Sequence, residues 1–184
     1  MAKKVDDSVL DAALDEIGTG CDMMTACTGE PASFYEGVEP AVWAATTAYA
    51  LGDAVRPATR NGFNYECTTA GTSDASEPAW PTTPGATVND GTIVWTTRTA
   101  RQLADAVMAG GDFTKADGGT SGRKTSVAQK SGVTVDVSGT ADHVALLDTA
   151  NRRLLYVTTA TAQALTAGNT LTMNGWDIEI ADPS

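Results

Sequence analysis

A single histidine, His143, limits the chemistry available to this chain of 184 residues. Ser-His-Asp and Cys-His hydrolytic arrangements both use an imidazole as the proton acceptor, so either scheme would depend on this residue. Asp142 and Asp148 are its neighbours in sequence, but no nucleophile or oxyanion motif accompanies them. At the start of an apolar strand, a hydrogen-bonded structural histidine is the commoner outcome. The sequence therefore predicts no catalytic residue and no enzyme.

Two further stretches carry residue types that could bind phosphate or metal. The glycine-rich residues 118–125 include Lys124, but this lysine does not directly follow the second glycine, as the phosphate-loop motif requires. Residues 112–117 lack the alternating oxygen ligands of an EF-hand loop. We therefore expect no cofactor and no metal site.

Three cysteines, Cys21, Cys27 and Cys67, complete the set of reactive side chains. Their number is odd and they form no C-x-x-C pair, which indicates neither a disulfide framework nor a zinc site. Buried thiols are the expected state, and a Cys21–Cys27 disulfide is left open.

The balance of charge excludes several classes of partner. The chain has 12 Lys and Arg against 23 Asp and Glu, a net charge of −11, whereas a nucleic-acid-binding protein needs a basic face. No apolar run approaches the roughly 18 residues of a membrane span, and the charged N-terminus lacks a signal-peptide pattern. We expect a soluble protein, made in the cytoplasm, that binds neither nucleic acid nor membrane.

The first structural element that the sequence predicts is a short amphipathic helix from Asp6 to Gly18. Its apolar residues recur at helical spacing: Leu10, Ala13, Leu14 and Ile17. Asp6 or Asp7 would cap its start, and Gly18 would end it in a left-handed conformation. Because so short a helix is marginal alone, it must dock on its own sheet or on a neighbouring subunit.

After residue 20 the pattern becomes one of short segments separated by Gly, Pro, Asn and Asp, which is typical of strands. Alternating or continuous apolar residues predict strands at residues 133–137, 143–147, 154–157 and 176–180. Residues 148–151 suggest a hairpin turn between the second and third of these. Residues 100–108 fit a helix or a strand equally well.

Residues 39–98 differ in composition from both flanks, since they hold three of the four tryptophans and five of the seven prolines. We interpret them as a small module inserted into a host domain of residues 1–38 and 99–184, because a surface loop tolerates such an insertion. The predicted fold is mainly β. It combines an antiparallel β-sandwich host, a short N-terminal helix and an inserted three-stranded β module.

The central segment carries the pattern W…Y..GD.V…G..Y.C from Trp43 to Cys67, followed by E-P-A-W-P at residues 77–81 and D-G-T-I-V-W at residues 90–95. It resembles chitin-binding-type carbohydrate modules, in the version found in structural proteins of tailed bacteriophages. That resemblance implies a compact β module whose exposed aromatic rings stack on sugars. Trp43, Tyr65 and Trp95 are expected in the core, whereas Trp80 and Tyr49 are the candidate glycan-binding residues.

The flanking sequence carries a second set of motifs: MAKKVDDSVLDAALDEI at the start, GDFT at 111–114, TSGRK at 120–124, GTADHVAL at 139–146 and AGNT at 167–170. These resemble small virion structural proteins of tailed phages, namely capsid decoration, cement or head-fibre proteins. The resemblance implies a protein on the outer capsid surface whose partners are the major capsid protein and sister subunits, as a trimer. A glycan- or receptor-binding fibre, spike or tail protein is the alternative, and head, neck and tail locations all stay open.

Overall fold

The computed structural model describes residues 4–183, and the chain is mainly β, with 48% of residues in strands and 12% in helices. Its elements follow in the order α1 (Asp7–Gly20), β1 (Met23–Cys27), α2 (Phe34–Gly37), β2 (Ala41–Val42), β3 (Ala48–Tyr49), β4 (Ala54–Arg56), β5 (Phe63–Thr69), β6 (Gly71–Thr72), β7 (Thr87–Asp90), β8 (Ile93–Thr99), β9 (Gln102–Val107), a 3-10 turn (Gly110–Asp112), β10 (Phe113–Asp117), β11 (Arg123–Val127), β12 (Lys130–Thr134), β13 (Gly139–Asp148), β14 (Arg153–Leu165), β15 (Thr170–Met173) and β16 (Trp176–Ile180).

The chain divides into two compact units. Unit 1 contains the described residues up to Glu30 and those from Leu103 onward, and unit 2 contains Pro31–Gln102. Residues 31–38, which the composition assigns to the host, thus group with the central segment. The contacts explain this difference, because the Asn64 side-chain amide in β5 donates hydrogen bonds to the carbonyl oxygens of Tyr35 and Val38, at 2.8 and 3.0 Å.

Helix α1 belongs to unit 1 and begins as its sequence predicts. The Asp6 carboxylate accepts a hydrogen bond from the backbone N–H of Ser8 at 3.0 Å and so caps the first turn. Leu10 and Leu14 are buried. The predicted end at Gly18 was wrong, since the helix continues to Gly20.

The helix docks on strands of its own unit rather than awaiting a neighbouring subunit. Its outer face carries acids that pair with basic residues of the next two strands, Asp15 with Lys115 of β10 at 2.9 Å and Asp11 with Arg123 of β11 at 2.8 Å. Exposed pairs such as these contribute little individually. The buried leucines therefore provide most of the stabilisation, and the ion pairs fix the helix orientation.

Unit 1 holds three sheets. A four-stranded sheet has the order β14-β13-β1-β9, a three-stranded sheet the order β10-β11-β16, and β12 pairs with β15. The predicted hairpin is confirmed, because β13 and β14 pair antiparallel from Asp148↔Arg153 onward. The undecided residues 100–108 include strand β9.

Unit 2 is built on a five-stranded sheet of order β2-β4-β5-β8-β7, with β3 and β6 paired separately. The prediction of a three-stranded module was therefore wrong. The additional pairings involve strands of two to four residues, and β2 runs parallel to β4, a pairing that local alternation cannot reveal. Val55, Tyr65, Cys67, Ile93 and Trp95 form the core of this unit.

No helix in residues 4–183 is both long and apolar enough to cross a bilayer. Cys21, Cys27 and Cys67 are all buried and no disulfide joins them, so the Cys21–Cys27 bridge that the sequence left open does not form. Burial raises the pKa of the Cys21 thiol to about 11, which keeps it protonated at neutral pH.

Candidate functional site

The candidate site is a cluster of aromatic rings in unit 2, centred on the buried Trp95. Antiparallel pairing of β5 with β8 places Cys67 opposite Trp95 and Tyr65 opposite Thr97. Because alternate residues of a strand share one face, Tyr65 and Trp95 turn inward together, and both are 0% exposed. Their predicted core positions are confirmed.

Trp80 lies over this core, in the loop between Pro78 and Pro81. Its ring centroid is 4.2 Å from that of Tyr65 and 6.1 Å from that of Trp95. Its indole N–H donates a hydrogen bond to the Glu77 carboxylate at 2.7 Å, and the Tyr65 hydroxyl donates to the Pro81 carbonyl at 2.8 Å. The loop is thereby held to the sheet, and the Trp80 ring is half-buried.

Tyr49 packs on the same buried ring from another direction. Its centroid is 5.0 Å from that of Trp95, with the rings close to perpendicular at 75°, a favourable edge-to-face arrangement. Its hydroxyl accepts a hydrogen bond from the Ala44 N–H at 2.9 Å. Tyr49 is also half-buried.

The two residues that the sequence singled out for glycan binding thus contact one buried ring. Each is packed against the core on one side and retains exposed surface on the other. Planar side chains with polar edges, held in fixed orientations, suit stacking against sugar rings. Trp43, which was assigned to the core, is half-buried at its margin.

Asp90 is a residue of this cluster that the sequence analysis did not single out. It is 2% exposed, and one carboxylate oxygen accepts hydrogen bonds from the indole N–H groups of Trp43 and Trp95, at 2.7 and 2.9 Å. The other oxygen accepts the backbone N–H of Asp74 at 2.8 Å. The D-G turn at residues 90–91 marked its position, but its two indole partners come from the tertiary fold.

The histidine of unit 1 makes a local structural contact. His143 Nδ1 lies 2.8 Å from a carboxylate oxygen of Asp142, and that oxygen also accepts the Gly29 N–H at 2.6 Å. Both interactions hold the pKa of Asp142 below its ordinary value. Asp148 instead bonds with Asn151 and Arg153, so the two candidate acids do not converge on the imidazole.

Metal-ligating side chains do not converge either: within residues 4–183, no group of three or more His, Cys, Asp or Glu residues could hold a metal ion. Comparisons with protein-family models, with curated proteins and with solved structures found no match to this chain. A function must therefore be argued from the sequence motifs and the geometry.

Proposed function

We propose that this protein is a virion structural protein of a tailed phage, one that decorates or cements the outer surface of the capsid. In this proposal unit 1 is an antiparallel β-sandwich host, unit 2 is a carbohydrate-module-like insert, and the partners are the major capsid protein and sister subunits in a trimer. The resemblance of the flanking motifs supports it. The net charge of −11 suits a soluble protein on an outer surface, away from packaged DNA.

The structural observation that carries the proposal is the edge strand β14. It pairs with β13 on one side only within the four-stranded sheet, and residues 159–164 are all exposed. Residues 154–176 contain no charged side chain, although natural edge strands are commonly protected by charges. In so acidic a chain, this uncharged edge is a surface on which another subunit can pair without electrostatic repulsion.

Capsid binding tests the proposal directly. Added to expanded capsids that lack it, the protein should occupy symmetry-related sites and raise the capsid melting temperature. The Ala162→Lys variant places a charge on the β14 edge and should weaken binding. Thr114→Lys, on the edge strand β10, is the matched control and should bind normally. Unchanged capsid stability, with no added density on the shell, would contradict the proposal.

The alternative function is a glycan- or receptor-binding fibre, spike or tail protein. The half-exposed rings of Tyr49 and Trp80, both fixed against Trp95, favour it. In a polysaccharide pull-down, Trp80→Ala and Tyr49→Ala should each reduce retention. Leu51→Ala is the control, since Leu51 is 65% exposed in the same unit and lies outside the ring cluster. Copy number separates the two functions, because decoration requires many copies per virion and a tail or spike role only a few.

A further inference from the structure

Unit 1 contains an open cavity of about 480 Å³, between one face of the four-stranded sheet and the segment formed by β15 and β16. Its volume falls in the range typical of small-molecule sites, roughly 300–1,000 Å³. The cavity contains none of the residues of the aromatic cluster in unit 2. No motif in the sequence pointed to it.

The cavity exists because side chains on the inner face of the sheet become smaller along the strands. At one level the cross-strand neighbours are Met24, Leu146 and Tyr156, and the first two are fully buried. Two residues further along, the neighbours are Ala26, Val144 and Thr158. These smaller side chains do not fill the space that a close-packed core would occupy, and all three line the cavity.

An irregularity in β14 shapes the cavity wall. Ala141 pairs with Gln163 and His143 with Thr159, so that one residue of β13 lies opposite three of β14, residues 160–162. Such bulges redirect side chains and are frequent beside binding sites. Ala160 and Thr161 line the cavity together with His143 and Gln163.

The opposite wall supplies an unmatched hydrogen-bond donor. Trp176 is half-buried and lines the cavity, while its indole nitrogen is buried and has no hydrogen-bond partner in the described structure. An unpaired buried donor costs about 1–3 kcal/mol, which an acceptor oxygen on a ligand would recover.

The lining contains hydroxyl and amide groups but, among the described residues, no lysine or arginine. Its neutral polar side chains are those of Tyr156, Thr158, Thr159, Thr161, Thr172, Gln163 and Asn174. Asp177 is the one carboxylate in the lining, and its oxygens bond to Lys124 at 2.8 Å and Ser126 at 2.5 Å. The cavity therefore has no free cation to attract an anionic ligand.

His143 adds an oriented polar group. Asp142 is a carboxylate whose pKa is lowered, so it accepts the proton carried on Nδ1 of the imidazole. In the neutral ring this leaves Nε2 as an acceptor. The cavity walls thus combine donors and acceptors with the apolar surfaces of Val144, Leu171 and Trp176.

We propose that this cavity binds a neutral sugar residue. A pyranose carries hydroxyls that both donate and accept, and its C–H face is apolar. One sugar oxygen accepts the Trp176 N–H, other hydroxyls bond to the threonine and amide side chains, and the ring face packs on apolar wall residues. A wholly apolar ligand would leave those polar groups unsatisfied. Sugar binding here is independent of both the capsid role and the rings of unit 2.

Saturation-transfer NMR on the full chain tests this proposal, with the methyl glycosides of glucose, galactose and mannose, and with N-acetylglucosamine, as neutral probes. At least one should receive saturation, whereas glucuronate should not. Trp176→Phe keeps an aromatic ring but removes the indole donor, and should weaken binding about fivefold, the factor for one neutral hydrogen bond. Thr158→Phe should abolish binding, because its ring fills the space beside Val144.

Trp80→Ala is the control that separates this site from unit 2, and it should leave the affinity of the responding sugar unchanged. Unfolding temperatures of each variant establish that it is folded, and Trp176→Phe decides the matter if Thr158→Phe does not fold. No transfer to any neutral sugar, preference for glucuronate, or transfer only to a neutral Thr-Ala peptide would overturn the proposal. Loss of binding in Trp80→Ala would also overturn it and would assign the sugar to unit 2.

Discussion

Asp90 illustrates, at the scale of one residue, how a carboxylate organises the aromatic cluster without taking part in chemistry. Its three hydrogen bonds reach two indoles and one backbone amide. The carboxylate has no basic partner among these three contacts, and its stabilisation comes from donors that would otherwise be buried and unsatisfied. Orientation of Trp43 and Trp95 thus depends on one side chain.

Replacing Asp90 by alanine should destabilise unit 2 by about 1–3 kcal/mol, because at least the Trp95 N–H would remain buried without an acceptor. Urea unfolding followed by tryptophan fluorescence measures this loss. Asp74→Ala is the matched control, since Asp74 is exposed in the same region, and it should change the free energy of unfolding far less. Equal losses in the two variants would show that the indole contacts contribute nothing.

Asp148 gives a prediction for pH. Hydrogen bonds from Asn151, together with those from Arg153, lower the pKa of this buried carboxyl from its ordinary value of 3.8. A lowered folded-state pKa stabilises the fold above the unfolded-state pKa, and the stabilisation is lost as pH falls through the folded-state value. The same direction holds for Asp6, Asp11, Asp112, Asp142 and Asp177.

The melting temperature should therefore fall steeply below about pH 4, where these carboxylates begin to be protonated. In Asp148→Asn the melting temperature at pH 7 should be lower and its decline with acid shallower, because one titrating group is gone. Thermal unfolding by circular dichroism from pH 2 to pH 7 measures both curves. Parallel curves would contradict the assigned role of Asp148.

At the scale of elements, the sequence predicted what depends on local periodicity. Leu10 and Leu14 identified helix α1, and the apolar residues 143–147 and 154–157 identified a hairpin. The end of the helix was misjudged because Gly18 is needed for packing instead of capping. A Cβ at that position would lie 3.3 Å from the Phe113 Cβ, so the glycine allows β10 to approach the helix.

The candidate sites show the limit of such reasoning. Proline-flanked Trp80 and turn-adjacent Tyr49 could be chosen from sequence as loop aromatics, but their shared contact with Trp95 arises from tertiary folding. The cavity of unit 1 depends on cross-strand register and on the irregularity at residues 160–162. Neither feature has a local signature, so sequence alone could not reveal the cavity.

The turn between β7 and β8 provides a prediction at this scale. Gly91 has a positive φ of 58°, and a Cβ there would lie 2.3 Å from the Thr72 carbonyl oxygen. Gly62 also has a positive φ, 85°, but has nothing within 4 Å of a Cβ. Gly62→Ala should cost about 1–2 kcal/mol for the left-handed backbone alone, and Gly91→Ala distinctly more.

Urea unfolding of the two alanine variants measures the difference between these positions. The comparison isolates the steric term, since both substitutions introduce the same methyl group at a left-handed residue. Equal destabilisation would mean that the Thr72 backbone shifts readily and that the turn is less constrained than its geometry indicates.

At the scale of the whole molecule, a large negative charge coexists with an uncharged edge. The net charge of −11 repels copies of the chain from one another, yet residues 154–176 carry none of it. Added salt screens the general repulsion over about 10 Å at 0.1 M. Hydrogen bonding along a strand edge is much less sensitive to salt.

Self-association through β14 should therefore strengthen as ionic strength rises. Sedimentation velocity at about 0.01 M and 0.5 M salt should show a larger oligomeric fraction at the higher concentration, where the screening length is shortest. Ala162→Lys should reduce association at both concentrations, and Thr114→Lys should not. Association that weakens with salt would point to ion pairs and contradict a contact through the uncharged edge.

The buried thiols have a consequence for the surroundings in which the molecule can persist. Cys21, Cys27 and Cys67 are enclosed in the two cores with no disulfide between them, and the raised pKa of Cys21 suppresses its reactive thiolate. The fold consequently has the same covalent structure in a reducing cell interior and in oxidising medium. Its melting temperature should not change with glutathione poise, and a subunit could leave a lysed cell without any redox step of maturation.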